Sequence, residues 1–359
     1  MQLITYVMLA LAAVAAVDRI TGSRLGLGRE LERGITMLGP LTLSMAGMLV
    51  IAPAIAEALK GLGGLLPGWI DLSILPAVLL ANDMGGAHLA AELAGDEAVG
   101  AFNGLIVSSM MGCTVSFTIP FAMQVTDRRH HGDIMFGILC GMIPIPVGCF
   151  AAGLMLGLPP VTLLLDLVPL IVLLALVAVG ILRFARVTLA IFSGLAWVLR
   201  ALITAGLFVG MVEFLTGYAL LPHMQPLEEA MAIILNIACI MTGAFPLLHL
   251  LKLTLRRPLA ALGRRLGVNE TSALGFLSTL GSSVTTFEMV DRMDRRGIVL
   301  NAAFAVPAAF TFVDHLAFTL SFRAEYAPAM AAGKLIAGVC AAVAAQLLCR
   351  RRENEENNA

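Results

Sequence analysis

Two apolar stretches, Leu72–Leu93 and Thr271–Val290, are each long enough to cross a membrane, and each is broken at its centre. The first breaks at Asn82-Asp83-Met84-Gly85-Gly86, the second at Leu280-Gly281-Ser282-Ser283. Hydrocarbon does not tolerate unpaired backbone groups unless they are buried in protein or line a watery cavity. Two such interruptions at matching places in two halves of a chain point to a solute site between inverted repeats.

Composition agrees with a membrane setting. Of 359 residues, 59% are hydrophobic and 13% charged, which excludes an ordinary soluble domain. Apolar runs of spanning length recur from end to end, so the chain reads as an all-α polytopic membrane protein. A net charge of −1 without a basic face excludes nucleic-acid binding. The six cysteines show no C-x-x-C spacing and read as small buried hydrophobes. No Lys or Arg precedes the first apolar run, whereas Arg19, Arg24, Arg29 and Arg33 follow it, so residues 1–17 are expected to be a retained helix rather than a cleaved signal. The tail from Arg350 reads as a solvated, disordered end.

Helices are expected near 2–17, 35–58, 98–123, 134–157, 161–182, 190–217, 229–251, 298–321 and 328–349, with the two broken segments extra. If both broken segments cross, giving eleven spans, the basic loops 18–34 and 252–265 fall on opposite sides, against the positive-inside bias. If each enters and leaves by one face, loops 18–34, 124–133, 183–187, 252–265, 291–296 and the Arg350 tail all become cytoplasmic, and the loops poor in basic residues (59–71, 92–97, 158–160, 218–228 and 323–327) become external. The favoured arrangement is therefore about nine spanning helices plus two re-entrant helical hairpins. An arm of about ten residues is about 15 Å long, half the hydrocarbon core, so the tips meet near the midplane.

The halves also align weakly. Asn82–Leu93 sets against Ser278–Met289, and Asn103 against Asn301 two inserted residues later. Residues 1–157 form the first expected repeat, 158–187 a linker helix, 188–350 the second repeat and 351–359 a cytoplasmic tail.

A charge at membrane depth costs roughly 2.5–3.5 kcal/mol and marks a pathway or a pair. Asp83, His88, Glu92, Glu288, Asp314 and His315 qualify. Asp83 and Asn82 stand at the first tip, where Gly85 and Gly86 permit the turn; Asp83 is equally suited to capping the arm that follows. Ser282 and Ser283 supply hydroxyls at the second tip. Asp314-His315 follows Pro307 in a helix that proline is expected to bend. Its counterpart carries Asn103, Ser108 and Ser109. Glu92 and Glu288 lie at the hairpin bases, within reach of water. Arg200, Glu213, Asp166 and Lys252 are expected to snorkel, with no role assigned. His88 and Glu92 share a helical face without an H-E-x-x-H motif, and no P-loop is present, so neither metal catalysis nor ATP coupling is expected.

Gly39-Pro40 through Gly47, Leu80-Ala-Asn-Asp-Met-Gly-Gly86, Ala91-Glu-Leu-Ala-Gly-Asp96, Gly281-Ser-Ser283 with Glu288-Met-Val-Asp-Arg-Met-Asp294 and Asn301, and Phe310-Thr-Phe-Val-Asp-His315 together resemble the ethanolamine transporter family, EutH. The resemblance covers nearly the whole chain. It implies a multi-pass carrier of the bacterial inner membrane that moves ethanolamine, with no cofactor. Its partners would be the protonated amine and the bilayer, and a homo-oligomer is compatible with it. A carrier of another small polar solute such as a nucleoside, or an amine channel or sensor, are the alternatives. Ethanolamine is a small ammonium with one hydroxyl, so a carboxylate such as Asp83 or Asp314 suits the cation and Asn82, Asn103 or Ser108 suits the hydroxyl. Asn82, Asp83, Gly85, Gly86, Asn103, Ser108, Ser282, Ser283, Asn301, Asp314 and His315 are the expected substrate-binding positions. With 6% aromatic residues, a cation–π cage is disfavoured.

Overall fold

The computed structural model describes residues 2–61 and 67–357, so part of the loop expected at 59–71 and the last two tail residues lie outside the described residues. Among the described residues every regular element is helical. Six helices among the described residues are long and apolar enough to cross a membrane: Leu27–Lys60, Glu97–Val125, Arg128–Met155, Pro160–Thr216, Leu227–Leu266 and Asp314–Arg351. The chain is a multi-pass membrane protein.

In chain order, α1 (Gln2–Ile20) packs on α2 (Leu27–Thr36), which leads through α3 (Leu38–Leu41) and a π-helical turn, Thr42–Ala46, into α4 (Gly47–Lys60). Next come α5 (Ile74–Leu79) and α6 (Gly86–Leu93), then α7 (Glu97–Phe102) with two π-helical stretches, Asn103–Gly112 and Thr114–Thr118, and α8 (Ile119–Val125). Helices α9 (His131–Met142) and α10 (Ile145–Met155) complete the first half. Helix α11 (Pro160–Thr216) is kinked at Phe184, where φ is −135° and ψ 42°. A Cβ on Gly180 would sit 2.6 Å from Thr188 Oγ1, although eight residues of straight helix advance about 12 Å. The chain therefore turns a sharp corner there, where the sequence places a loop at 183–187. The second half comprises α12 (Leu227–Leu266), α13 (Glu270–Gly281), α14 (Ser283–Glu288), α15 (Arg295–Ala308), α16 (Asp314–Arg323) and α17 (Ala327–Asn357). The tail expected to be disordered instead continues α17 as far as Asn357.

Both broken segments fold back on themselves. At the base of the first, Asp71 Oδ1 accepts from Ser73 N at 2.9 Å and Asp71 Oδ2 accepts from Gly95 N at 2.9 Å, which ties the ends of the segment together. At the base of the second, Asp294 Oδ1 accepts from Asn269 N at 2.9 Å and from Ser272 Oγ at 2.8 Å. Helices of six residues (α5) and eight (α6) are about 9 and 12 Å long, far short of the 30 Å core. Each hairpin packs on the helix that follows it: α5 and α6 on Asn103–Gly112, α13 and α14 on α15.

Ion pairs between loops report which ends lie together. Arg129 Nη2 and His130 Nε2 meet Asp291 Oδ1 at 2.9 and 3.1 Å, and Arg295 Nε meets Asp133 Oδ1 at 3.1 Å. The hydrogen bond from Arg129 holds the Asp291 carboxyl below its ordinary range. At the other end, Arg323 pairs with Glu97. Exposed pairs of this kind contribute little stability. Their value is geometric, because they join 124–133 to 291–296, and 92–97 to 323–327.

The helix expected over 298–321 is not bent but broken. Pro307 lacks an N–H and crowds the preceding turn, α15 stops at Ala308, and Phe310 adopts φ +62°. Asp314 then opens a new helix, α16, rather than sitting inside a continuous one.

Candidate functional site

The two hairpin tips leave backbone groups without helical partners, and the following helix meets them in each case. At the first tip, α5 ends at Leu79, Leu80 and Ala81 are extended, and Asn82–Met84 form one 3-10 turn. Gly85, at φ +97°, reverses the chain into α6, a conformation that a side chain resists. Ser108 Oγ donates to the Leu80 carbonyl, and Ala81 N donates to Ser116 Oγ at 3.1 Å. At the second tip Ser282 is extended between α13 and α14. Phe310 N donates to Thr279 O at 3.0 Å and Phe312 N to Leu280 O at 2.9 Å. The unwound segment after Pro307 therefore pairs its own freed amides with the freed carbonyls of the hairpin, and one break satisfies the other.

Between the tips lies a cavity of about 290 Å³. Asp83 and Met84 reach it from the first hairpin, Ser282 and Val284 from the second, Asp314 and His315 from the start of α16. Phe117, Phe310 and the Met37–Ser44 turn close the remaining walls. Phe117 and Phe310 meet edge to face at 5.6 Å, so aromatic faces do border the cavity despite the low aromatic content. A larger cavity of about 370 Å³ beside Leu255, Leu259 and Leu347 is lined by hydrocarbon but for Gln346 and suits a polar solute poorly.

Of the eleven positions expected to bind substrate, Asp83, Ser282, Asp314 and His315 border this cavity. The other seven do not line it. Gly85 makes the turn, Gly86 opens α6 where a Cβ would lie 2.1 Å from Ser108 Oγ, and Ser108 bonds the Leu80 carbonyl. Asn301 Nδ2 donates to Ser272 O at 2.8 Å and Gly297 O at 2.9 Å, tying α15 to the second hairpin. Asn103 Nδ2 donates to Ser73 Oγ at 2.9 Å and Asp166 Oδ1 at 3.0 Å, tying the first hairpin to α11. Asp166 is therefore no snorkelling residue: it is buried by these contacts. Asn82 and Ser283 are fully buried beside the tips, with Asn82 Nδ2, Asn82 Oδ1 and Ser283 Oγ lacking hydrogen-bond partners. His88 is wedged against Phe318 and Phe322, while Glu92 and Glu288 are exposed. Among the described residues no cluster of His, Cys, Asp and Glu is arranged to hold a metal.

The family model described as ethanolamine utilisation protein, EutH, matches residues 1–348. The chain belongs to the EutH family. A probable ethanolamine permease EutH of Listeria monocytogenes is 37% identical over the whole of this chain and 96% of that protein. Its namesakes in Salmonella typhimurium and Escherichia coli are 35% and 34% identical, covering 97% and 98% of this chain and 95% and 96% of their own lengths. No solved structure matches. Membership of EutH puts the chain among permeases rather than enzymes.

In this EutH chain the sequence reading overlooks one buried charge. Lys334 is fully enclosed in α17, and its Nζ donates to Ser109 O at 2.5 Å. It lies within Coulombic reach of Asp83, and Asp83 within reach of Asp314. The signal was present as a single lysine in the run Met330-Ala-Ala-Gly-Lys-Leu-Ile-Ala337. Its place near a helix end suggests snorkelling; only the fold, which seats α17 against the π-helical stretch, denies it water.

Proposed function

We propose that the chain carries ethanolamine across the bacterial inner membrane by alternating access, with the ammonium held at Asp83 and Asp314 between the hairpin tips. The convergence of both broken segments and two carboxylates on one cavity carries this proposal. Relatives along the full length are named probable ethanolamine permeases, which supplies the substrate. With both carboxylates ionised on binding, they and Lys334 would carry one net negative charge, which a single monovalent cation would neutralise. Ser282, on the cavity wall, bonds the hydroxyl in this reading. The Phe117 and Phe310 rings then cover the two methylenes.

Nine spanning helices with two re-entrant hairpins are the arrangement the contacts favour. Eleven spans would put Arg129 and Asp291, and likewise Arg323 and Glu97, on opposite faces of the bilayer, although each pair is in contact. The inverted repeat gains support from equivalent ties: Asn103 to Ser73 in one half, Asn301 to Ser272 in the other. Met37–Ser44 and Phe117 border the cavity from the parts of their helices nearest the loops that charge bias assigns to the cytoplasm. Movement of the hairpins and their supporting helices against the rest would expose the same site outward.

Single cysteines tested with an impermeant reagent read the topology. A cysteine at Thr126 is expected to label from the cytoplasm and one at Glu228 from outside; labelling of Thr126 from outside contradicts the hairpins. A second prediction concerns Lys334. Its replacement by Met removes the resident cation, so ethanolamine is expected to bind more tightly while net uptake falls. Unchanged affinity in titration calorimetry would separate Lys334 from the site. Binding itself is tested by comparing ethanolamine with ethylene glycol, which exchanges the ammonium for a hydroxyl. The proposal requires the first to bind and the second to fail.

A further inference from the structure

At the base of the first hairpin, away from the central cavity, a second cavity of about 260 Å³ is bordered by Trp69, Asp71, Asp96, Thr162 and Asp166. Three of these are carboxylates, and neither Lys nor Arg lines the wall. Two are occupied with the fold. Asp71 uses both oxygens to close the hairpin, and Asp96 Oδ1 caps α7 by accepting from Ala98 N and Val99 N at 2.9 and 3.0 Å. Asp166 differs. It is 5% exposed, its Oδ1 accepts from Asn103 Nδ2 at 3.0 Å, and its Oδ2 has no hydrogen-bond partner. A carboxylate oxygen shut from water and left unpaired is costly unless something donates to it.

We infer that this cavity is a second binding site, taking a small organic ammonium with Asp166 Oδ2 as its acceptor. The absence of a metal-holding cluster among the described residues argues against a bare divalent ion. The Trp69 ring supplies an aromatic face, the partner of choice for an organic cation, and the Thr162 hydroxyl stands on the same wall for an alcohol group. Identifying the ligand as the transported amine rests on the transport reading; the site itself does not. Residues 67–71 and 94–96 belong to loops assigned as external, so the cavity would receive the amine before it reaches the tips. Asn103 bridges Asp166 to Ser73, so occupancy is felt at the hairpin base.

Trp197 is 67% exposed, and Trp197→Phe leaves Trp69 as the single tryptophan. Purified full-length Trp197→Phe protein, titrated with ethanolamine, is expected to show a saturable change in Trp69 emission that ethylene glycol does not produce. Asp166→Asn keeps an acceptor for Asn103 and should weaken the response at least tenfold. Asp96→Asn still caps α7 and should weaken it severalfold, which keeps the test alive if the first variant misfolds. Asp83→Asn should leave the response intact. No saturable change, a response indifferent to both wall variants, or loss of the response in Asp83→Asn overturns the site. Absent transport with an intact response refutes the carrier instead and leaves this site standing.

Discussion

Asp83→Asn is expected to weaken ethanolamine binding by about ten- to a hundredfold. The substitution keeps size and hydrogen-bonding capacity but removes the charge, and a hydrogen bond to a charged group contributes about 1.5–3 kcal/mol. Each carboxylate has a resident partner: Asp314 lies in the first turn of α16, whose N-terminus favours its charge, and Asp83, on the 3-10 turn of the hairpin, lies within Coulombic reach of Lys334. Binding by the purified variant decides between them, because loss of transport alone also follows from a disturbed cap. If Asp83→Asn binds as the parent does while Asp314→Asn does not, the ammonium belongs to Asp314. If both bind normally, backbone carbonyls at the broken tips hold it and the carboxylate assignment fails.

Gly112→Ala is expected to cost about 3 kcal/mol or more, as overpacking with the loss of buried hydrogen bonds. A Cβ at this position would lie 1.9 Å from Leu80 O and 2.6 Å from Ala77 O. These are backbone atoms, so no side chain can rotate aside. The first hairpin must back away from the π-helical stretch, and the Ser108 and Ser116 bonds that satisfy its tip go with it. A large fall in the thermal midpoint in detergent is the expected reading, with Gly39→Ala, where nothing lies within 4 Å, as an unaffected control. Equal midpoints for both would mean the hairpin is not clamped as described.

How far the sequence anticipates all this depends on the kind of interaction. The breaks were legible because glycine and polar residues inside apolar runs are visible locally, and Asp83, Ser282, Asp314 and His315, singled out as polar groups at or opposite them, border one cavity. At Asn103 and Asn301 the signal is ambiguous: a buried asparagine shows that a polar partner exists, not whether that partner is solute or frame. Both proved to tie hairpin to helix. Lys334 was overlooked and Asp166 was expected to snorkel because their burial depends on neighbours far along the chain, Ser109 and Asn103. Pro307 marks a disturbance in its helix, but its conversion to a full break depends on Thr279 and Leu280 being positioned to accept the freed amides.

The carrier itself is tested most directly by counterflow in proteoliposomes. Vesicles loaded with unlabelled ethanolamine should take up external labelled ethanolamine faster than empty vesicles and transiently accumulate it, because the loaded site returns more readily than the empty one. Asp83→Asn vesicles should lose that acceleration. Uptake indifferent to internal ethanolamine would point to a channel, and no uptake by folded protein would contradict ethanolamine as the substrate.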